Sequence, residues 1–176
     1  MKKNSDQLKW IPNCLSVIRI LIAIAFPFLH PSSRVLILAL ALLTEYLDGA
    51  IARKFNWVSL TGQILDPIAD KLLVLSVGMT FIAINKLSLA ELLLIGIRDI
   101  TAGLGFIIIV LLLKNYRMLQ SFRPNFAGKM TTFFQYLVFF DVMVAATPHT
   151  WLIVVTSVLS FVSAVLYISN IYFARK

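Results

Sequence analysis

Long apolar runs, separated by short polar or proline-containing breaks, extend from residue 15 almost to the end of the chain. A run of about 20 apolar residues is long enough to cross the hydrocarbon core of a bilayer as a helix. The pattern predicts six spans, at about residues 15–29, 35–53, 62–84, 89–113, 130–146 and 151–173. We therefore expect an all-α integral membrane protein with six transmembrane helices, folded as a single domain over residues 1–176.

The segment before the first run is polar and basic and contains Trp10, which is typical of a short interfacial segment lying on the membrane surface. Pro12 and Asn13 then favour the start of a helix. Residues His30 to Ser33 interrupt the pattern and predict an exposed loop after the first span. The sequence thus places a short N-terminal surface segment before the six helices.

Composition supports the membrane class, because 60% of the residues are hydrophobic and 14% are charged. Soluble domains average about 45–50% and about 25%. The net charge of +8 comes from basic residues between apolar runs, which are typical of topology signals and contacts with anionic lipids, so we expect no nucleic-acid partner. A single cysteine excludes an intramolecular disulfide and a cysteine-based metal site.

Lysine and arginine are distributed unequally between the two predicted sides of the membrane. One side has only Arg34 and Lys86, and the other holds both termini and most of the basic residues. These are Lys2, Lys3, Lys9, Arg53, Lys54, Lys114, Arg117, Arg123, Lys129, Arg175 and Lys176. The positive-inside rule therefore predicts cytoplasmic termini and a cytoplasmic loop between the second and third spans.

Four carboxylates flank that loop, Glu45 and Asp48 before it and Asp66 and Asp70 after it. Offsets of three and four place each pair on one face of its helix, so two facing helices would bring four acids together. A charge at mid-bilayer costs about 2.5–3.5 kcal/mol, and such residues are functional by default. Hard oxygen ligands of this kind favour Mg²⁺, Mn²⁺ or Ca²⁺.

Ion pairing that merely holds the helices together is the structural alternative. The basic residues available for it are Arg53, Lys54 and Lys71. Pairing does not explain the small residues Gly49, Ala52 and Gly62, which leave space beside the acids. We therefore favour a divalent metal site for phosphate chemistry, in which one carboxylate accepts a proton from an attacking hydroxyl.

At these residues the sequence resembles the CDP-alcohol phosphotransferase family, whose pattern is Asp-x2-Asp-Gly-x2-Ala-Arg-x8-Gly-x3-Asp-x3-Asp. The pattern is filled, with every spacing kept, by Glu45, Asp48, Gly49, Ala52, Arg53, Gly62, Asp66 and Asp70. The family's six-helix fold agrees with the hydropathy pattern. The one departure is Glu45, where the family has Asp, and its extra methylene would alter a Mg²⁺ shell that demands near-ideal octahedral geometry.

The resemblance implies a two-metal centre that binds Mg²⁺ or Mn²⁺ through Glu45, Asp48, Asp66 and Asp70, with Asp70 also acting as general base. It implies that the CDP moiety binds at Gly49, Ala52, Arg53 and Gly62. The implied reaction is attack by an acceptor alcohol on the phosphatidyl phosphorus of CDP-diacylglycerol, with release of CMP. It also suggests a homodimer in the bacterial cytoplasmic membrane, with the active site on the cytoplasmic side.

Further stretches resemble the branch that contains phosphatidylglycerophosphate synthases and CDP-diacylglycerol-dependent cardiolipin synthases. Residues 128–135 resemble the Gly-Lys-x2-Thr-x2-Gln stretch of the former, whereas Arg98 and Asp99 resemble the Arg-Asp of the latter. Gly105 stands where the phosphatidylglycerophosphate synthases tend to carry another Arg. The choice of acceptor is therefore divided between glycerol 3-phosphate and phosphatidylglycerol.

We favour glycerol 3-phosphate, a small phosphorylated alcohol, because Arg98, Arg123 and Lys129 could bind its phosphate. Positive-inside signalling is the alternative reading of Arg123 and Lys129. For Arg98, the alternative is a buried pair with Asp99 or a neighbouring carboxylate. Cardiolipin synthesis from phosphatidylglycerol is the alternative activity. A hypothesis of another class is that Glu45 marks a non-catalytic lipid-binding or partner subunit.

Overall fold

The computed structural model describes residues 11–55, 60–108, 126–145 and 148–174, and all regular secondary structure in these ranges is helical. The helices are α1 (Ile11–Ala25), α2 (Pro31–Phe55), α3 (Leu60–Ala83), α4 (Leu89–Ile107), α5 (Phe126–Val144) and α6 (Thr150–Ala174). A 3₁₀ helix, Phe26–Phe28, follows α1. The all-α prediction is confirmed, whereas the predicted interfacial segment lies largely outside the described residues and the single domain stays a prediction.

The described helices differ in how well their length and composition suit a membrane span. In the described ranges, the Thr150–Ser169 segment of α6 is long and apolar enough to cross a membrane, and shorter apolar helices cover Asn13–Phe28 and Pro31–Thr44. Helices α3 and α4 each carry three charged residues, which interrupt their apolar character. Six spans therefore stay a prediction from the hydropathy of the whole chain.

The connection between α3 and α4 shows why α3 ends and α4 begins where they do. Asn85 has a φ of 57°, a left-handed conformation that asparagine tolerates, and the N–H of Lys86 donates to the Phe81 carbonyl at 2.9 Å. Helix α4 then starts with a capping box. Ser88 Oγ accepts from the Glu91 N–H at 3.2 Å, and Glu91 Oε2 accepts from the Ser88 N–H at 2.8 Å.

The helices fall into two compact units, residues 1–80 and residues 81–176. In the first unit, α1 packs against α2, and α3 contributes a fully buried stripe formed by Ala69, Leu73 and Val77. These residues recur every four positions, which places them on one face of α3. Ser76 Oγ donates to the Ala23 carbonyl at 2.5 Å and thereby ties α3 to α1.

In the second unit, α6 packs against both α4 and α5. Thr131 Oγ1 donates to the Leu159 carbonyl at 3.1 Å, which joins α5 to α6. Ser160 Oγ accepts from the backbone N–H of Arg98 at 3.0 Å, which joins α4 to α6. Polar side chains therefore connect the three helices.

Helix α6 has the reverse of the distribution that a soluble helix shows. Its small polar residues Thr156, Ser160 and Ser163 are buried. Large apolar side chains on its other face are exposed, among them Val154, Val158, Phe161, Val165 and Ile168. Small polar residues at helix contacts and apolar residues facing outward are typical of helices packed within a bilayer.

Close packing between α4 and α6 occurs at Gly105. A Cβ atom at this position would lie 3.0 Å from Oη and 3.1 Å from Cε1 of Tyr167, whose hydroxyl donates to the Ala102 carbonyl at 3.4 Å. A Cβ atom at Gly103 would meet no described heavy atom within 4 Å. Gly105 is therefore required for the approach of Tyr167, whereas Gly103 is not.

We expect Gly103→Ala and Gly105→Ala to change stability in opposite directions. Alanine is favoured over glycine in a helix by about 0.8–1.0 kcal/mol, so Gly103→Ala should raise the Tm of the purified protein. Gly105→Ala should lower it, because overpacking costs about 1–3 kcal/mol when neighbours must move. Thermal unfolding in one detergent measures both, and an equal rise in the two variants would contradict the packing at Gly105.

Candidate active site

Helix α3 carries two of the predicted metal ligands, Asp66 and Asp70, one turn apart, and both contact α1. Ser16 Oγ donates to Asp66 Oδ1. Arg19 Nη1 donates to Asp70 Oδ1 at 2.5 Å. Ser16 and Arg19 are three residues apart and therefore lie on one face of α1. Two successive turns of α1 thus hold two successive carboxylates of α3.

The Arg19–Asp70 ion pair is buried on one side and open on the other. The Arg19 side chain is 1% exposed, whereas that of Asp70 is 33% exposed. An arginine in such surroundings needs an acid partner, because an unpaired charge is strongly disfavoured away from water. Asp70 therefore neutralises Arg19 while part of its carboxylate stays accessible.

The donor set of this region fits a hard divalent cation. Asp66 and Asp70 present carboxylate oxygens, half-buried and one helical turn apart, and such ligands suit Mg²⁺ or Mn²⁺. Within the described residues, no three acidic, histidine or cysteine side chains come together. The other two predicted ligands, Glu45 and Asp48, lie on α2 at positions whose side chains are outside the described part. The four-carboxylate centre therefore stays a prediction.

Of the residues predicted to receive the CDP moiety, some have side chains outside the described part and one is described. Helix α2 is continuous through Gly49, Ala52 and Arg53, which keeps their predicted helical spacing, but their side chains lie outside the described residues. Gly62, in the first turn of α3, is buried. Contact of Gly62 with the CDP moiety stays a prediction.

A second polar cluster lies in the other unit, around Arg98 on α4. Arg98 Nη1 donates to Thr132 Oγ1 at 2.8 Å and lies 3.6 Å from Asp99 Oδ1. Gln135 Nε2 donates to Asp99 Oδ2 at 2.8 Å. Lys129 is exposed and precedes Thr132 by three residues, so the two share a face of α5. Arg98 therefore makes the pairing with Asp99 that was the alternative to phosphate binding, together with a hydrogen bond to Thr132 on α5, and its phosphate-binding role stays a prediction.

Arg123, the remaining residue of the predicted phosphate-binding set, lies outside the described residues. The structure thus describes Arg98 and Lys129 of that set, each on a helix of the second unit. It also assigns a function to the small residue at position 105. A Cβ atom at position 105 would lie 3.0 Å from Tyr167 Oη, so a larger residue there would require Tyr167 to shift.

Ser16 and Arg19 are the residues whose contacts sequence reasoning did not predict. The expected partners of the acids were Arg53, Lys54 and Lys71, whereas the described ion pair of Asp70 is with Arg19. The signal was present in the sequence, because a lone arginine in the first apolar run must find an acid. Helical periodicity identifies the face of each acid but does not identify the helix that packs on it.

Comparisons with known proteins agree with this chemistry. A family model described as CDP-alcohol phosphatidyltransferase matches residues 9–166. A CDP-diacylglycerol–glycerol-3-phosphate 3-phosphatidyltransferase of Aquifex aeolicus is 34% identical over 165 residues, which cover 89% of this chain and 88% of the relative. A second such enzyme, from Rickettsia bellii, is 45% identical over 71 residues, which cover 36% of this chain and 39% of the relative.

A relative of another specificity is also similar. The CMP-forming cardiolipin synthase of Streptomyces coelicolor is 33% identical over 141 residues, which cover 73% of this chain and 62% of that protein. The family match covers most of the chain, and the first relative spans it almost from end to end. The chain therefore belongs to the membrane-embedded CDP-alcohol phosphatidyltransferase family.

Proposed function

We propose that this protein transfers the phosphatidyl group of CDP-diacylglycerol to glycerol 3-phosphate, forming phosphatidylglycerophosphate and releasing CMP. The observation that carries the proposal is the similarity, over nearly the full length of both chains, to the Aquifex aeolicus enzyme of that name. Each unit adds its own support, the first through the carboxylates Asp66 and Asp70 that α1 contacts and the second through the polar cluster around Arg98.

In this reaction Asp70 accepts the proton of the acceptor's hydroxyl group while the hydroxyl oxygen bonds to the phosphorus that bears diacylglycerol. The bond from that phosphorus to the CMP oxygen breaks, and CMP leaves with the electron pair. Arg19 holds Oδ1 of Asp70, so Oδ2 is the oxygen that we assign to the proton. Gly49, Ala52, Arg53 and Gly62 would receive the CDP moiety.

The family's requirement for a divalent metal is met in this proposal by Glu45, Asp48, Asp66 and Asp70. A bound Mg²⁺ or Mn²⁺ would neutralise the diphosphate and polarise the phosphorus under attack. Arg98, Arg123 and Lys129 would bind the acceptor's phosphate, since arginine forms paired hydrogen bonds to phosphate oxygens. The role of Arg98 is supported by its contacts with Thr132 and Asp99, which hold one end of its guanidinium.

Cardiolipin synthesis from phosphatidylglycerol is the second candidate. The similarity to the Streptomyces coelicolor enzyme supports it, as does the Arg98–Asp99 pair. Gly105, which packs against Tyr167, also favours cardiolipin synthesis. Position 105 carries no second cation, and a dianionic phosphate monoester would need such a cation more than a phosphodiester does. The non-catalytic alternative rests on Glu45 alone.

Six spans, a cytoplasmic active site and a bacterial cytoplasmic membrane belong to the same proposal. The distribution of basic residues supports the cytoplasmic orientation of the active site, and the exposed apolar face of α6 supports membrane embedding. A homodimer is suggested by the family resemblance.

A CMP-release assay on purified protein tests the proposed activity. With CDP-diacylglycerol and Mg²⁺ or Mn²⁺, we expect release in the presence of glycerol 3-phosphate and less with phosphatidylglycerol, inositol phosphate or serine. Asp70→Asn should reduce turnover by about 10²–10⁴-fold, the usual contribution of a general base. It should also lower the Tm, because Arg19 loses its acid, while helical circular dichroism is retained at the assay temperature. CMP release with phosphatidylglycerol alone would favour cardiolipin synthesis. No CMP release with any acceptor would favour the non-catalytic alternative.

The Arg19–Asp70 pair predicts a stability change that depends on metal. Breaking a buried ion pair from one side costs about 3–5 kcal/mol, and the partial exposure of Asp70 puts the loss at the lower end. We expect Arg19→Met to lower the Tm of metal-free protein, and Mn²⁺ to recover part of this loss because it supplies the missing positive charge.

Arg34→Met is the matched control. Arg34 donates to the carbonyls of Leu29 and Pro27, at 3.2 and 3.3 Å, and makes no described contact with Asp66 or Asp70. Its loss should lower the Tm equally with and without Mn²⁺. A Mn²⁺-induced rise that is the same in wild type and Arg19→Met would argue against shared neutralisation of Asp70.

A further inference from the structure

The guanidinium of Arg98 is anchored along one edge. Nη1 contacts both Thr132 and Asp99, whereas no described residue accepts a hydrogen bond from Nε or Nη2. The side chain is 20% exposed, so solvent or a ligand reaches part of it. Because a guanidinium binds a phosphate through two parallel N–H groups, the Nε and Nη2 edge is suited to an oxyanion.

The carboxylate that holds this edge in place is itself held. The Asp99 side chain is 10% exposed, and its Oδ2 accepts from Gln135 Nε2 at 2.8 Å. This bond engages Oδ2, and Oδ1 lies 3.6 Å from Arg98 Nη1. Gln135 on α5 therefore reaches Arg98 on α4 only through Asp99 among the described contacts.

Packing alone does not account for an amide at position 135. Gln135 is 1% exposed, and its Oε1 is buried with no donor among the described residues. An apolar residue of the same shape would avoid burying an unpaired acceptor. The interaction that such a residue would lose is the hydrogen bond from Nε2 to Asp99.

We propose that Gln135 and Asp99 are positioning residues, which orient the Arg98 guanidinium so that its Nε and Nη2 edge binds the phosphate of the acceptor alcohol. This inference rests on the proposed function for the phosphate that Arg98 receives. The same phosphate chemistry is present in free glycerol 3-phosphate and in the headgroup of phosphatidylglycerol, so the experiment uses both.

Gln135→Met tests the inference because it keeps the size and neutrality of the side chain and removes the donor. We expect the KM for the acceptor that wild type uses to rise about tenfold or more, as displaced binding groups typically cause. The KM for CDP-diacylglycerol should stay within twofold. Gln135→Asn, which keeps the amide but shortens its reach, should raise the acceptor KM in the same direction and guards against a folding defect of the methionine variant.

A double-mutant cycle with Arg98→Lys separates positioning from general destabilisation. Lysine lacks the planar fork, so in that background Gln135→Met should change the acceptor KM by less than twofold. Thr156→Val, which removes a buried hydroxyl bonded to the Leu152 carbonyl of its own helix, is the matched control and should leave both KM values unchanged. An equal effect of Gln135→Met in both backgrounds would overturn the inference.

Binding measured without turnover keeps the inference separate from the proposed function. Glycerol 3-phosphate and short-chain phosphatidylglycerol are titrated separately by calorimetry into wild type and Gln135→Met. If wild type releases no CMP, the proposed function fails, yet weaker binding of either phosphate ligand in the variant sustains the positioning inference. Equal binding in the two proteins, or no binding to either, overturns it.

Discussion

A charge placed among apolar helices must have a partner, and this constraint connects most of the polar features of the structure. Arg19 is almost completely buried and pairs with Asp70. Arg98 and Asp99 are mostly buried and are joined to Thr132 and Gln135 on the neighbouring helix. Because the free energy of an unpaired charge is so unfavourable in these surroundings, the ion pairs determine which helix faces can meet.

The same constraint makes chemistry available. Here each pair has one partly exposed member, Asp70 in the first unit and Arg98 in the second. Asp70 therefore combines neutralisation of Arg19 with partial exposure, and Arg98 combines contacts to Thr132 and Asp99 with partial exposure.

Most of the helical architecture could be predicted from the sequence, because apolar runs and their breaks are local signals. Each described helix overlaps a predicted run, and the turn near Asn85 and the capping residues Ser88 and Glu91 follow local rules. The family could also be predicted, since the spacing from Glu45 to Asp70 is specific and the family match confirms it. Contacts between helices could not be predicted, because a period of 3.6 residues identifies a face and not its neighbour. The pairing of Arg19 with Asp70 and the bond from Gln135 to Asp99 are both of this kind.

The separation of Arg19 from Asp70 along the chain also constrains how the protein is assembled. The two residues are 51 positions apart. At a synthesis rate of about 5–20 residues per second, the arginine emerges about 3–10 s before its partner. During that interval Arg19 lacks the carboxylate that neutralises it in the folded chain, and an unpaired charge is unfavourable among apolar residues. The contact that neutralises Arg19 is therefore completed only after α3 has been made, so the surroundings of α1 depend on a helix that is synthesised much later.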